Sequence, residues 1–297
     1  LIAYTTAQMD LALFGYAVPA IRAEFGLTLS EVMAIVSSAF LLGGALLVVL
    51  GWLADRMGRL PLFQFSLLGS SFLVALISIA SGVATLTALR GASIAVGGLS
   101  YPITGAIITE EMPARLRGLF MGLLQIGYPL GWALASLWSM WLLTEYGWRQ
   151  LFWVGLVSLP MVWVVRRYLR EPPRSVVARS TESPPRFSDL FATGVRERAI
   201  TLFIAQFLFV WAYAASIFLF PSFLREVRAL DAFNFSLLIG AGNAIGVLGY
   251  VLAAWIGERV WTRRNTVVLW TLLGALLFQV LVWVPTSFGQ ILLVHAL

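Results

Sequence analysis

The stretch "GWLADRMGRL", residues 51–60, places Asp55, Arg56 and Arg59 in a short segment between two long apolar runs. Charge is scarce elsewhere: 11% of the chain is charged, 60% is hydrophobic, and the mean hydropathy is +0.89. A soluble domain is about 25% charged and about 45–50% apolar. A soluble chain this apolar lacks the polar surface to cover itself, so a lipid bilayer is its expected solvent. Residues 51–60 then read as a polar loop pinned between two membrane spans.

A membrane helix needs about 20 mostly apolar residues. That ruler gives nine spans, at 1–21, 30–53, 61–82, 84–109, 118–142, 150–169, 199–224, 233–257 and 265–284, and the start of a tenth at 287. All basic residues are arginine, and they divide unevenly between the two sides. Fifteen fall on one side, in the loops holding Arg56, Arg115, Arg166, Arg186 and Arg263, against four on the other: Arg22, Arg149, Arg225 and Arg228. The positive-inside rule puts the fifteen in the cytoplasm, with a cytoplasmic N-terminus and a multi-pass position in the inner (plasma) membrane. Topology therefore explains the basic charge, and no nucleic acid is expected as a partner.

Residues 170–198, "REPPRSVVARSTESPPRFSDLFATGVRER", are polar and rich in Pro and Arg. They read as a cytoplasmic linker between a six-helix bundle (1–169) and a second, partial bundle (199–297, helix 7 to the start of helix 10). The end of the linker would form an interfacial helix capped by Ser188 or Asp189. The chain begins with Leu1 and stops inside an apolar run, "SFGQILLVHAL", which gives the expectation of a fragment with an incomplete second bundle. Asp10 and Pro19 interrupt the first apolar segment, which argues against a signal peptide.

The absence of Cys excludes disulfides, thiol nucleophiles and thiolate metal sites. The single histidine, His295, lies in an apolar segment, where packing is the commoner role. No His, Asp or Glu cluster has metal-ligand spacing, so neither a cofactor nor a membrane metalloenzyme is expected. "AAWIGERVWTRRN" (253–265) repeats the pattern of residues 51–60 after the eighth span, with Glu258 and Arg259 standing for Asp55 and Arg56. Two similar halves around a long linker are the pattern of a transporter.

Gly51, Asp55, Arg56, Gly58 and Arg59 resemble the G-x-L-x-D-R-x-G-R loop of the major facilitator superfamily. "LRGASIAVGGLSYPITGAIITEEMPARLRG" (89–118) resembles its fourth helix and the following loop, with Arg90 as the intramembrane arginine and Glu110, Pro113, Arg117 and Gly118 after it. The resemblance implies an all-α integral membrane protein of two six-helix bundles. It also implies a conformational latch made of the residue-51–59 loop, Glu110, Arg117, Glu258 and Arg259. Cytoplasmic pairing there would favour the outward-open state. The alternative is that these residues only set topology and turns, which Gly58 would do in either case.

Two charges fall inside the spans. Counting back from Arg22 at about 1.5 Å per residue puts Asp10 roughly 18 Å deep, and Arg90 lies about 10 Å from the outer end of the fourth span. Ionisable groups at such depth are costly and mark pathways. A carboxyl group holds its proton more readily in hydrocarbon than in water, and arginine grips carboxylates with a planar fork. These are the minimum parts for symport of an organic anion with protons. The alternative is a structural Asp10–Arg90 pair that docks two helices, or a pair that opens when substrate arrives.

"MDLALFGYAVPAI" (9–21) resembles the D-G-F-D-L-x-L-x-G-x-x-x-P segment of the aromatic acid:H+ symporters and related sialate and carboxylate symporters. Asp10 takes the place of the second acid, while Ala7 and Gln8 replace the first acid and its glycine. "GYPLGWALA" (127–135) and "YGWRQLFWVG" (146–155) are similar to the same branch. Gln125, Tyr128, Gln206, Tyr213 and Asn243 are candidate substrate contacts in an aromatic-rich cavity. The pairs Gly118/Gly122, Gly127/Gly131 and Gly242/Gly246 would allow close helix contact, and Pro19, Pro102, Pro129 and Pro221 would bend helices. The expectation is a monomeric secondary transporter that imports a small organic acid with protons. A proton-driven drug or metabolite exporter, or a sugar transporter of the same superfamily, is the first alternative. A non-transporting membrane enzyme or receptor is the second.

Overall fold

The computed structural model describes residues 1–113, 115–168, 194 and 196–297; the side chains of 54–56, 210–215, 217 and 218 lie outside that description. Regular structure among the described residues is helical throughout. The first half comprises α1 (Ile2–Phe25), α2 (Leu29–Met57), α3 (Arg59–Leu76), α4 (Val83–Gly98), α5 (Ser100–Glu111), α6 (Arg117–Gln125), α7 (Gly127–Glu145), α8 (Trp148–Leu151) and α9 (Leu159–Tyr168). The second comprises α10 (Arg196–Glu226), α11 (Ala232–Arg259), α12 (Arg263–Trp283) and α13 (Phe288–Ala296). These coincide with the ten expected spans, since α4–α5, α6–α7 and α8–α9 each make one span in pieces.

Proline sets where the spans break. A proline ring clashes with the carbonyl four residues earlier and supplies no N–H. Pro102 and Pro129 follow Gly98 and Gln125 by four residues, and α4 and α6 end at those two residues. A 3₁₀ stretch, Phe152–Ser158, likewise precedes Pro160 at the start of α9. Pro19 and Pro221 instead sit inside continuous α1 and α10. Met112 turns extended ahead of Pro113 and closes α5.

The 51–60 stretch is less a loop than a hinge. α2 runs on through Met57, and Gly58 alone separates it from α3. Its φ of 108° is a conformation that L side chains rarely adopt. The linker expectation falls mostly outside the described residues, as do Ser188 and Asp189. Its last residues belong elsewhere, because α10 already begins at Arg196.

Seven spans are long and apolar enough to cross a membrane by length and composition: 29–53, 59–79, 83–111, 117–145, 148–168, 232–259 and 263–283. α1 is not among them, for it carries Thr5, Thr6, Gln8 and Asp10. Protein rather than lipid surrounds it: Ala12, Leu13, Tyr16 and Ala17 have no exposed surface. α12 and the Leu41–Trp52 part of α2, by contrast, present Leu, Val and Trp side chains outward.

Small residues bring α1 onto α7. A Cβ on Gly131 would lie 2.7 Å from both the Met9 nitrogen and the Thr5 oxygen, and one on Gly127 would lie 2.7 Å from the Tyr4 ring. Further along the same span, Gly122 faces Ala254 of α11 at 3.0 Å, and Gly240 of α11 packs over Ser136. One span thus holds α1 on one flank and α11 on another. Gly246 departs from the expected contact role, since nothing lies within 4 Å of a Cβ there. Gly131→Ala is expected to destabilise the protein by about 1–3 kcal/mol through overpacking against backbone. Gly246→Ala is expected to be neutral or slightly stabilising. Thermal unfolding of the two variants in detergent checks the contrast.

Candidate functional site

Polar groups line the core of the first half at successive depths. Asp10 is 3% exposed, and its Oδ2 accepts a hydrogen bond from Ser158 Oγ at 3.4 Å, while Oδ1 is buried without a partner. The 3₁₀ turn that carries Ser158 brings the ninth helix's start against α1. Arg90 is 2% exposed; its Nη2 donates to the Leu11 carbonyl at 3.0 Å, and its guanidinium lies 4.5 Å from the Phe14 ring centre. The structural pair weighed for Asp10 and Arg90 is not formed, since no ion pair within 4.0 Å joins them. Arg90 is taken up by the backbone and an aromatic face of α1, and Asp10 by Ser158. The two charges remain near enough to interact through the protein interior.

Aromatic groups flank these charges on both sides, Tyr16 toward the Arg22 end of α1 and Tyr4 toward the Arg59 end. Tyr16 donates to the Trp132 carbonyl at 3.2 Å, and Trp132 has the Tyr16 and Tyr128 rings at 5.9 and 6.3 Å. Tyr4 donates to Gln125 Oε1 at 3.3 Å and has the Tyr101 ring at 5.7 Å. Tyr250 of α11 lies near Tyr4. This cluster draws on α1, α5, α6 and α11, and so on both halves.

Of the expected substrate contacts, Gln125 and Tyr128 belong to these aromatic groups. Asn243 donates to the Ile239 carbonyl of its own helix at 2.8 Å, and Gln206 is exposed on α10. The Tyr213 side chain lies outside the described residues. Sequence reasoning passed over Tyr4, Tyr250 and Ser158. Tyr250 carried a signal, for it follows Asn243 by two helical turns on one face. Nothing in the sequence distinguishes Ser158 from other serines.

At the Arg59 face, Arg59 ion-pairs with Glu110 and so ties α3 to α5; both side chains are largely buried. Arg117 does not join this pair: its Nε donates to the Met112 carbonyl at 3.0 Å and closes the turn before α6. Glu258 pairs with Arg263 at 2.6 Å, and its carboxylate rests on Gly118 in the first turn of α6. An acid at a helix N-terminus is favourably placed against the helix dipole. Arg115, Tyr250, Trp255, Glu258 and Arg259 line a cavity of about 380 Å³ between α6 and α11. Nothing within 4 Å crowds Gly51, and the side chains of Asp55 and Arg56 lie outside the description.

At the opposite face, Arg22 ion-pairs with Glu226 and links α1 to α10. Glu24 accepts from Trp148 Nε1 at 2.6 Å and Arg149 Nη2 at 2.5 Å, which fixes the α1 end to α8. No group of three or more potential metal ligands is present among the described residues.

A helical membrane protein with buried ionisable groups at mid-span and charged contacts at both faces belongs to a narrow class. The whole chain, residues 1–297, matches the Major Facilitator Superfamily and belongs to it. It is 27% identical over 271 residues to the cis,cis-muconate transport protein of Acinetobacter baylyi, covering 86% of this chain and 63% of that one. It is 25% identical over 281 residues to the gallate transporter of Pseudomonas putida, covering 84% and 62%. The chain thus spans less than two thirds of the length of these relatives. The xylose transporter XylE of E. coli, in a partially occluded inward-open conformation, superposes with a TM-score of 0.69 at 16% identity, over 99% of this chain and 79% of that one.

Glu110→Gln removes the Arg59–Glu110 ion pair from a sheltered position. A loss of about 1–3 kcal/mol is expected. The exchanged pair Arg59→Glu with Glu110→Arg is expected to recover part of it, which a double-mutant cycle on thermal unfolding measures.

Proposed function

We propose that this protein is a secondary transporter that imports a small organic acid, aromatic or otherwise carboxylate-bearing, together with protons by alternating access. The observation that carries this reading is an acid and a base, Asp10 and Arg90, both buried among the helices yet not locked into a mutual ion pair. Arg90 supplies a permanent charge with a planar donor fork, suited to a carboxylate. Asp10 is the proton carrier. Any carboxyl group is neutral more easily away from water, and water entry reverses that preference. Ser158 gives the group a hydrogen-bond partner. The muconate and gallate carriers to which the chain is similar handle acids of this class by their names.

The rest of the site divides by depth. Tyr4, Gln125, Tyr128 and Tyr250 form an aromatic, hydrogen-bonding wall for the body of the substrate, with Asn243, Gln206 and Tyr213 on the second half's side. The Arg59 face is cytoplasmic, with the N-terminus on the same side of the inner membrane. There Arg59–Glu110, and Glu258 against α6, act with Asp55, Arg56, Arg117 and Arg259 as the latch of the outward-open state. Residues 1–169 form one bundle and 199–297 the beginning of the second, joined by the cytoplasmic linker 170–198, in a protein that works as a monomer.

The test is uptake by the full-length protein in vesicles under an inward-acid gradient, with labelled organic acids, a sugar and a cationic dye. Protonophore-sensitive accumulation of an acid supports the reading; proton-driven movement of dye or sugar alone overturns it. Asp10→Asn is expected to abolish proton-driven accumulation and to preserve counterflow exchange, so loss of both or of neither removes the coupling role. Arg90→Lys is expected to lower kcat/KM for every transported carboxylate by about tenfold or more, as a charge-assisted bidentate contact is lost.

A further inference from the structure

The two halves carry matching element orders around their acidic hinges: α2, α3, α4 in the first and α11, α12, α13 in the second. Both α4 and α13 start with the side chain of their third residue reaching back to the backbone N–H just before the helix. Thr85 accepts from the Gly82 N–H at 3.2 Å, and Gln290 accepts from the Ser287 N–H at 3.3 Å. Arg90 is the eighth residue of α4 and His295 the eighth residue of α13. The likeness extends to what they touch. Arg90 lies over Phe14 of α1, and the His295 ring lies 4.9 Å from Phe220 of α10, each on the helix that opens its half. The imidazole packs flat into the notch left by Gly242 of α11, where any side chain would collide with it. Its Nε2 is buried and has no hydrogen-bond partner. A buried polar atom left without a partner is unusual enough to need a reason.

We infer that His295 is the second half's counterpart of Arg90, a substrate-contact residue whose free Nε2 hydrogen-bonds an uncharged polar group, such as a ring hydroxyl, at the end of the acid away from its carboxylate. This rests on the organic-acid reading above. Arg90 supplies the charge that every substrate shares, and His295 supplies a neutral donor or acceptor that separates one acid from another. A site built to hydrogen-bond a substrate hydroxyl discriminates strongly against the analogue that lacks it. Gly242 is kept open by the same logic, because a larger residue would push the ring out of position.

The experiment is uptake by the full-length protein of benzoate, nicotinate, gentisate and gallate, for wild type, His295→Leu, His295→Gln and Arg90→Lys, with monodisperse elution in detergent as the folding control. His295→Leu is expected to cut kcat/KM for the hydroxylated acids by about tenfold relative to benzoate, and His295→Gln, which keeps a hydrogen-bonding end, to restore most of that ratio. An unchanged ratio in both variants, or an equal loss for all four acids that His295→Gln does not relieve, overturns the assignment. If Arg90→Lys lowers every acid while the His295 ratios stay flat, only this inference fails. If no acid is taken up by wild type, the organic-acid reading fails and takes this one with it.

Discussion

A side chain on Gly131 has nowhere to go. Backbone atoms of α1 lie where its Cβ would stand, and Gly127 repeats the close approach one turn earlier. Apolar side chains gain nothing by leaving lipid for one another, so helices in a bilayer hold together through such backbone-close packing and through polar contacts. The α1–α7 seam makes α1 the axis of the first half. It is also what allows α1 to carry Thr5, Gln8 and Asp10, which a lipid-facing helix would not tolerate. The side chains of Tyr4, Tyr16, Gln125 and Trp132 then fill the space along that seam, Tyr4 donating to Gln125 and Tyr16 to the Trp132 carbonyl.

The buried charges follow from the same enclosure. Arg90 is paired with a carbonyl and a ring face rather than with an acid, and Asp10 with a hydroxyl rather than with a base. A tight ion pair would neutralise both and leave little to respond to a ligand. The ends of the spans are treated differently: Arg59–Glu110, Glu258–Arg263 and Arg22–Glu226 are full ion pairs, the first sheltered and the other two reached by water and salt, which weaken them. Of these, Arg22–Glu226 crosses from one half to the other, and Glu258 does so through its contact with Gly118.

The sequence by itself determined where the helices run and marked where a break was possible. Apolar length sets the first and proline the second, at Pro102 and Pro129 though not at Pro19 or Pro221, which α1 and α10 run through. Each of these is a local property of the chain, so no partner segment is needed to see it. Gly58 was legible for the same reason, since its backbone conformation is its own.

Pairing was decided only by the tertiary structure. Nothing in the spacing of Asp10 and Arg90 tells that Ser158 and Leu11 intervene, because those contacts join residues far apart in the chain. Arg117 had the same charge and neighbourhood as Arg59, yet a turn geometry sends it to a backbone carbonyl while Arg59 reaches Glu110. Gly122 and Gly246 belong to the same spacing motif and differ only in what stands opposite: Ala254 in one case, open space in the other. Tyr4, Ser158 and His295 gain their significance from across a seam. A side chain's chemistry is written in the sequence, but the partner that makes use of it is chosen by the packing of helices.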